Sequence, residues 1–233
     1  MDRMNTERLA TWAEFVAERL EAAARGVRAH SPRSRAGDDG GDSAAPRHES
    51  APARKMLVLG GARSGKSHHA ERLISQYDEV TYFAGGPPPS DDDPEWAARV
   101  ADHKARRPAH WHTVESTDLA TTLRTTTTPL LVDCLGTWLS RVLDELGAWQ
   151  QEPGWQQRVD ERLVEVVDAY SSTRLPVVAV SNEVGSGVIP ATTSGRAFRD
   201  VLGGLNSRIS TSSDAVVLTV AGRPVELDRP AER

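Results

Sequence analysis

The chain has 233 residues, with 28 Lys and Arg against 33 Asp and Glu and a formal charge of −5. That length suits one α/β domain plus an extension, and the mild acidity excludes a basic footprint for nucleic acid or an acidic membrane surface. The strongly hydrophobic segments are strand-length, so no membrane span is expected, and the single cysteine, Cys134, allows no internal disulfide and points to a reducing cytoplasm.

Residues 1–29 predict an amphipathic helix, with Leu9, Trp12, Phe15, Val16 and Leu20 at helical spacing and charge on the other face. Asp2, Glu7 and Glu14 interrupt the apolar stretch that a secretory signal needs, and the same acids disfavour a transit peptide. Residues 30–54 turn to Ser, Pro, Gly, Asp, Ala and Arg and predict a disordered linker. The main folded domain is then expected over residues 55–233.

The run KMLVLGGARSGKS, from Lys55 to Ser67, predicts a buried strand, a glycine-rich turn and the start of a helix. Gly60, Gly65, Lys66 and Ser67, with Gly61, Ala62, Arg63 and Ser64 inside the turn, satisfy the phosphate-loop pattern G-x-x-x-x-G-K-[ST]. Glycines let the backbone curl until successive N–H groups face a polyphosphate, and the helix that follows adds the positive end of its dipole. Lys66 can reach the β and γ phosphates, and Ser67 can ligate Mg²⁺. An idle glycine-rich turn would need neither the apolar strand Met56–Leu59 before it nor the apolar helix face of Ala70, Leu73 and Ile74 after it. Nucleotide binding is therefore expected.

Beyond the loop, strands alternate with helices. Strands are expected at 80–84, 129–134, 176–182 and 215–220, an extended piece at 111–114, and helices at 94–106, 137–146, 155–170 and 196–210. Several strands are continuous apolar runs, which marks a mostly parallel α/β sheet with helices on both faces. Ligands bind beyond the carboxyl ends of such strands. That rim collects the phosphate loop, Ala84, Gly85 and Gly86 after the second strand, Asp133, and the loop that starts at Asn182. Asp133 closes the strand LLVD, where phosphate-loop enzymes carry the second magnesium-site acid; a cap on the next helix is its rival role.

His103 stands in RVADHKARRPAHW among Arg99, Lys104, Arg106 and Arg107. Cationic neighbours are expected to depress an imidazole pKa, keeping the ring nucleophilic, and they attract polyphosphate. His103 is thus a candidate to attack an α-phosphorus and carry a nucleotidyl group, which requires its helix to swing toward the phosphate loop. A half-buried histidine on a helix face is the plain alternative. His68, His69, His110 and His112 are rival histidines, the first two expected at the surface of the phosphate-loop helix. No compact run of Cys, His and acids forms a standard metal pattern. Asn182 and Glu183 precede a Gly, Ser and Pro-rich loop that could adapt to a substrate, although a capping acid fits the same residues.

Four blocks in this order, GGARSGKS (60–67), HKARRPAHW (103–111), VDCLGTWLSRVL (132–143) and VSNEVGSGVIP (180–190), resemble one family. It is the bifunctional adenosylcobinamide kinase/adenosylcobinamide-phosphate guanylyltransferase family of cobalamin nucleotide-loop assembly. The resemblance runs from Met56 to the region of Val220 and omits the N-terminal extension. It implies a RecA-like P-loop NTPase domain, a homotrimer and two reactions. ATP or GTP phosphorylates the aminopropanol hydroxyl of adenosylcobinamide. GTP then guanylylates an enzyme histidine with release of pyrophosphate, and the GMP passes to adenosylcobinamide phosphate to give adenosyl-GDP-cobinamide. By that match His103 is the nucleophile, Lys66 the catalytic lysine of the phosphate loop Gly60–Ser67, and Ser67 with Asp133 the Mg²⁺ site. Lys104, Ala105, Arg106 and Arg107 are expected at the nucleotide, and Glu115 at its guanine or ribose. A transferase-only member of the family, or a phosphate-loop kinase for another small metabolite, are the alternatives.

The chain departs from the family after the second strand. Small polar residues and an acid–Met pair give way there to AGGPPPSDDDPEW. Ala84, Gly85 and Gly86 keep the small residues that let a nucleotide approach closely. Pro87, Pro88 and Pro89 stiffen the following stretch, and Trp96 replaces a smaller apolar residue.

Overall fold

The structure, a computed structural model, describes residues 54–228. The expected N-terminal helix, the expected linker up to residue 53 and residues 229–233 lie outside the described residues. β1 (Lys55–Gly60) is the apolar run before the phosphate loop, and its last four residues are buried. There follow α1 (Lys66–Ile74), β2 (Thr81–Ala84), α2 (Pro94–Arg106), β3 (His112–Glu115), α3 (Leu119–Thr125) and β4 (Leu130–Asp133). The second half comprises α4 (Leu135–Glu145), α5 (Trp155–Ser172), β5 (Val177–Asn182), α6 (Thr193–Thr211), β6 (Ala215–Val220) and β7 (Arg223–Leu227). The short α3 and the terminal β7 were not expected from the sequence.

The strands form one seven-stranded sheet in the order β3-β2-β4-β5-β1-β6-β7. All neighbouring pairs are parallel except β6 and β7, so the mostly parallel α/β sheet is as expected. β5 lies between the phosphate-loop strand and the strand that carries Asp133, in the RecA-like manner. Successive residues of a strand face opposite sides. Leu57 and Leu59 enter the core with Phe83, Trp138 and Leu202, while Val58 enters the one with Ala70, Ile74 and Tyr82. Both faces are therefore covered, which is why the strands read as unbroken apolar runs. Burying each Leu or Phe contributes about 1.5–3 kcal/mol, so the two cores fix where the strand ends stand.

The helices start where the sequence supplies caps. Asp93 accepts a hydrogen bond from the Trp96 amide at 2.9 Å and Pro94 occupies the first turn, which sets the start of α2. None of the side chains of α2 is fully buried. That helix is held to the sheet mainly by the polar contacts of its cleft face.

Candidate active site

The carboxyl ends of β1, β2, β3, β4 and β5 open onto a cleft of about 860 Å³. The phosphate loop forms one wall. Gly65 sits at φ 90°, a left-handed conformation that suits glycine, and it offers no side chain to cap the first amides of α1. Those amides are thus available to an anion. Lys66 Nζ donates to the Gly61 carbonyl at 3.1 Å, which holds the ammonium across the loop.

Asp133 joins the loop to the rest of the cleft. Ser67 Oγ donates to its Oδ1 at 3.0 Å, and the Tyr82 hydroxyl donates to Oδ2 at 2.8 Å. His103 Nδ1 also hydrogen-bonds Oδ2, at 3.2 Å. Burial pushes the Asp133 carboxyl up, but the bonds from His103, Tyr82 and Ser67 outweigh it and hold the group below the usual carboxylate range. Burial, with the Asp133 charge beside it, pushes the Tyr82 hydroxyl far up, so it stays a donor. The capping role for Asp133 does not hold: Cys134 caps α4, its Sγ accepting from the Thr137 amide at 3.5 Å. Burial and the Asp133 charge raise the Cys134 thiol, which therefore stays protonated.

α2 brings His103 to this acid. Its cationic neighbours are engaged elsewhere. Arg99 pairs with Glu95 at 3.7 Å, Lys104 with Glu115 at 2.9 Å, and Arg106 with Glu71 at 3.4 Å. The Arg107 guanidinium stacks 3.4 Å above the Tyr82 ring and donates to Thr113 Oγ1. The imidazole thus meets a carboxylate rather than bare cations. Among the rivals, His68 lines the cleft but points largely to solvent. Burial and the nearby Arg72 lower the pKa of His69, which does not line the cleft. His110 and His112 line a separate hollow with Thr125 and Thr128, near the start of β3.

Ala62, Arg63, Ser64, Ala84, Gly86 and Asn182 also line the cleft, as does Glu115. Gly60, Gly61, Gly85, Ala105 and Glu183 do not. A Cβ on Gly60 would stand 2.7 Å from the Thr219 carbonyl, so this glycine serves the close packing beneath the loop. A Cβ on Gly85 would stand 2.6 Å from Trp138 Cβ and 2.9 Å from Phe83 Cε1; its small size serves the core, not a nucleotide. Glu183 Oε1 accepts from the Gly185 amide at 2.6 Å and organises its own turn. Sequence reasoning missed Tyr82, which lines the cleft, and Glu71, which does not line it but stands beside His103 and Asp133. Both carried a periodic signal: Tyr82 shares a strand face with Ala84, and Glu71 lies one helical turn beyond Ser67.

Ser67 Oγ and Asp133 Oδ1 are hard oxygens 3.0 Å apart. Adjacent ligands of an octahedral ion bound at about 2.1 Å are about 3.0 Å apart, so the pair fits Mg²⁺.

Residues 56–227 match the family described as cobinamide kinase / cobinamide phosphate guanyltransferase. The bifunctional adenosylcobalamin biosynthesis protein CobU of Salmonella typhimurium is 36% identical over 181 residues, covering 74% of this chain and 98% of that protein. The CobU protein of Escherichia coli is 34% identical over 181 residues, with the same two shares. The bifunctional adenosylcobalamin biosynthesis protein CobP of Pseudomonas aeruginosa is 39% identical over 176 residues, covering 73% of this chain and 95% of its own.

Proposed function

The chain belongs to the cobinamide kinase / cobinamide phosphate guanyltransferase family, and from that premise we propose that one cleft serves both reactions, with His103 carrying the guanylyl group. The enzyme is a cobinamide kinase and cobinamide phosphate guanylyltransferase of adenosylcobalamin biosynthesis. In the first reaction, the aminopropanol hydroxyl of adenosylcobinamide takes the γ-phosphoryl group of ATP or GTP. In the second, the resulting phosphate receives GMP from GTP.

The observation that carries this reading is the shared carboxylate of Asp133, with Ser67 on one oxygen and His103 on the other. An Nδ1–H donated to Oδ2 leaves the imidazole lone pair on Nε2. Nε2 attacks the α-phosphorus; the N–P bond forms as the P–O bond to pyrophosphate breaks, and pyrophosphate leaves. A phosphate oxygen of adenosylcobinamide phosphate then attacks the same phosphorus, the N–P bond breaks, and adenosyl-GDP-cobinamide is released. Lys66 and the loop amides take up charge in both reactions. Ser67 and Asp133 would hold Mg²⁺, which neutralises phosphate charge when bound. Lys104, Arg106 and Arg107 present cations to the nucleotide, Glu115 an acceptor to guanine or ribose, and Asn182 an amide to the corrinoid substrate. The reading includes a cytoplasmic homotrimer. Among the described residues no helix is long and apolar enough to cross a membrane.

Incubation with GTP radiolabelled at the α-phosphate tests the reading. An acid-labile, base-stable adduct is expected, and label that persists in His103→Ala overturns the assignment. Release of one equivalent of pyrophosphate per site without any acceptor separates this enzyme from a phosphate-loop kinase for another metabolite.

A further inference from the structure

Glu71, His103 and Asp133 come from α1, α2 and β4, and one ligand atom of each lies within 4.8 Å of the other two. The grouping exists only in the fold, which is why no sequence pattern revealed it. His103 Nδ1 and Asp133 Oδ2 are 3.2 Å apart. Two ligands bound to a metal at about 2.1 Å are about 3.0–3.4 Å apart at octahedral to tetrahedral angles, so this pair already has the bite of a metal site. Glu71 completes the set, with a carboxylate oxygen within 4.8 Å of the ligand atoms of both His103 and Asp133. Its present ties are loose: Arg106 reaches its two carboxylate oxygens at 3.4 Å each, and His68 stands 3.9 Å away. The three side chains are withdrawn from water, with 12% of Glu71, 25% of His103 and 5% of Asp133 exposed.

The imidazole decides the class of ion. Mg²⁺ demands oxygen ligands and gives up its waters reluctantly, whereas one nitrogen and two carboxylates suit a first-row transition ion. We propose that Glu71, His103 and Asp133 bind one divalent transition cation, Zn²⁺ or Co²⁺, and that this ion silences the nucleophile. A metal on Nδ1 moves the ring proton to Nε2, so the nitrogen that attacks phosphorus loses its lone pair. The silencing depends on His103 being the nucleophile as proposed above; the binding does not.

Addition of Co²⁺ to the full chain without nucleotide tests the site directly. A visible absorption stronger than that of the aqua ion, saturating at one Co²⁺ per chain, is expected. Glu71→Gln and His103→Asn should each weaken that binding at least tenfold. In parallel, Zn²⁺ should suppress labelling by radioactive Mg·GTP, and half-suppression in Glu71→Gln should need at least tenfold more Zn²⁺. A spectrum that stays that of the aqua ion, or binding undiminished by both substitutions, overturns the inference. Labelling without zinc reports separately on the guanylyl-histidine, so the two readings fail independently.

Discussion

His103 Nδ1 meets Asp133 Oδ2 at 3.2 Å, on the carboxylate whose other oxygen accepts the Ser67 hydroxyl. The nucleophile and the Mg²⁺ acid that we propose are therefore one hydrogen-bonded unit. His103→Ala should lower guanylyl transfer by about 10²-fold or more while cobinamide phosphorylation continues, since in the proposed mechanism only transfer uses an imidazole lone pair. Asp133→Asn should impair both reactions. Paired assays of nucleotidyl transfer and of cobinamide phosphorylation on the two variants check this division.

Lys66 reaches back to the Gly61 carbonyl at 3.1 Å, so its ammonium is already placed over the loop where a polyphosphate would lie. Loss of one such charge costs about 10²–10³ in rate when it acts on the transition state. Lys66→Ala should therefore lower kcat by that factor in both reactions. A loss confined to one of them would show that the two do not share the phosphate loop.

Tyr82 is 1% exposed and donates its hydroxyl to Asp133 Oδ2 at 2.8 Å. Tyr82→Phe keeps the ring under Arg107 but leaves a buried carboxylate oxygen one donor short, which should cost about 1–3 kcal/mol of stability. Tyr82→Leu also removes the stacked guanidinium contact and should cost about 0.5–2 kcal/mol more. Urea midpoints read both losses, and a midpoint unchanged in Tyr82→Phe would show that the hydroxyl contributes nothing.

How much of this was legible follows from how far apart the contacting residues lie in sequence. The phosphate loop, β1 and the start of α2 are written locally, by a glycine-rich turn, an apolar run and an Asp-Pro cap. Asp133 was legible as an acid ending a buried strand, but its ties to Tyr82 and His103 come only from tertiary packing. β7 escaped notice because it is only five residues long and holds Pro224, so Val225 and Leu227 alone carry its alternation. α3 is seven residues long and rich in threonine, a poor helix former; its Asp118 cap and buried Leu119, Ala120 and Leu123 stabilise it instead. Gly85 was legible as small, and only the structure shows that the space belongs to Trp138.

The cap on α3 gives a pH dependence. Asp118 Oδ1 accepts from the Thr121 amide at 2.9 Å, and that bond outweighs desolvation and holds its carboxyl below the usual range, with Arg162 and Arg124 adding to it. The unfolded chain takes up a proton near pH 4, before the folded chain does. Stability from this group is thus complete above about pH 4 and is lost as pH falls through the lower folded value. Asp118→Ala should cost about 1 kcal/mol at pH 7 and less at pH 3. Denaturation of both proteins across that range measures the convergence.

The adjacent glycines after β2 should respond differently to one added methyl group. At Gly85 a Cβ would stand 2.6 Å from Trp138 Cβ and 2.9 Å from Phe83 Cε1, and both aromatic side chains are fully buried. Neither can yield, so Gly85→Ala should cost about 1–3 kcal/mol and lower Tm. At Gly86 the obstacle is the far edge of the Trp96 indole, 2.8 Å away, on a side chain that lines the cleft and is fixed by its N–H donated to the Pro87 carbonyl at 2.9 Å. That half-buried ring can shift by giving up this bond, at the expense of the cleft wall. Gly86→Ala should therefore leave Tm nearer wild type than Gly85→Ala while raising KM for nucleotide. Thermal melts and nucleotide titrations of the two variants decide the order, and a larger Tm loss at Gly86 would contradict it.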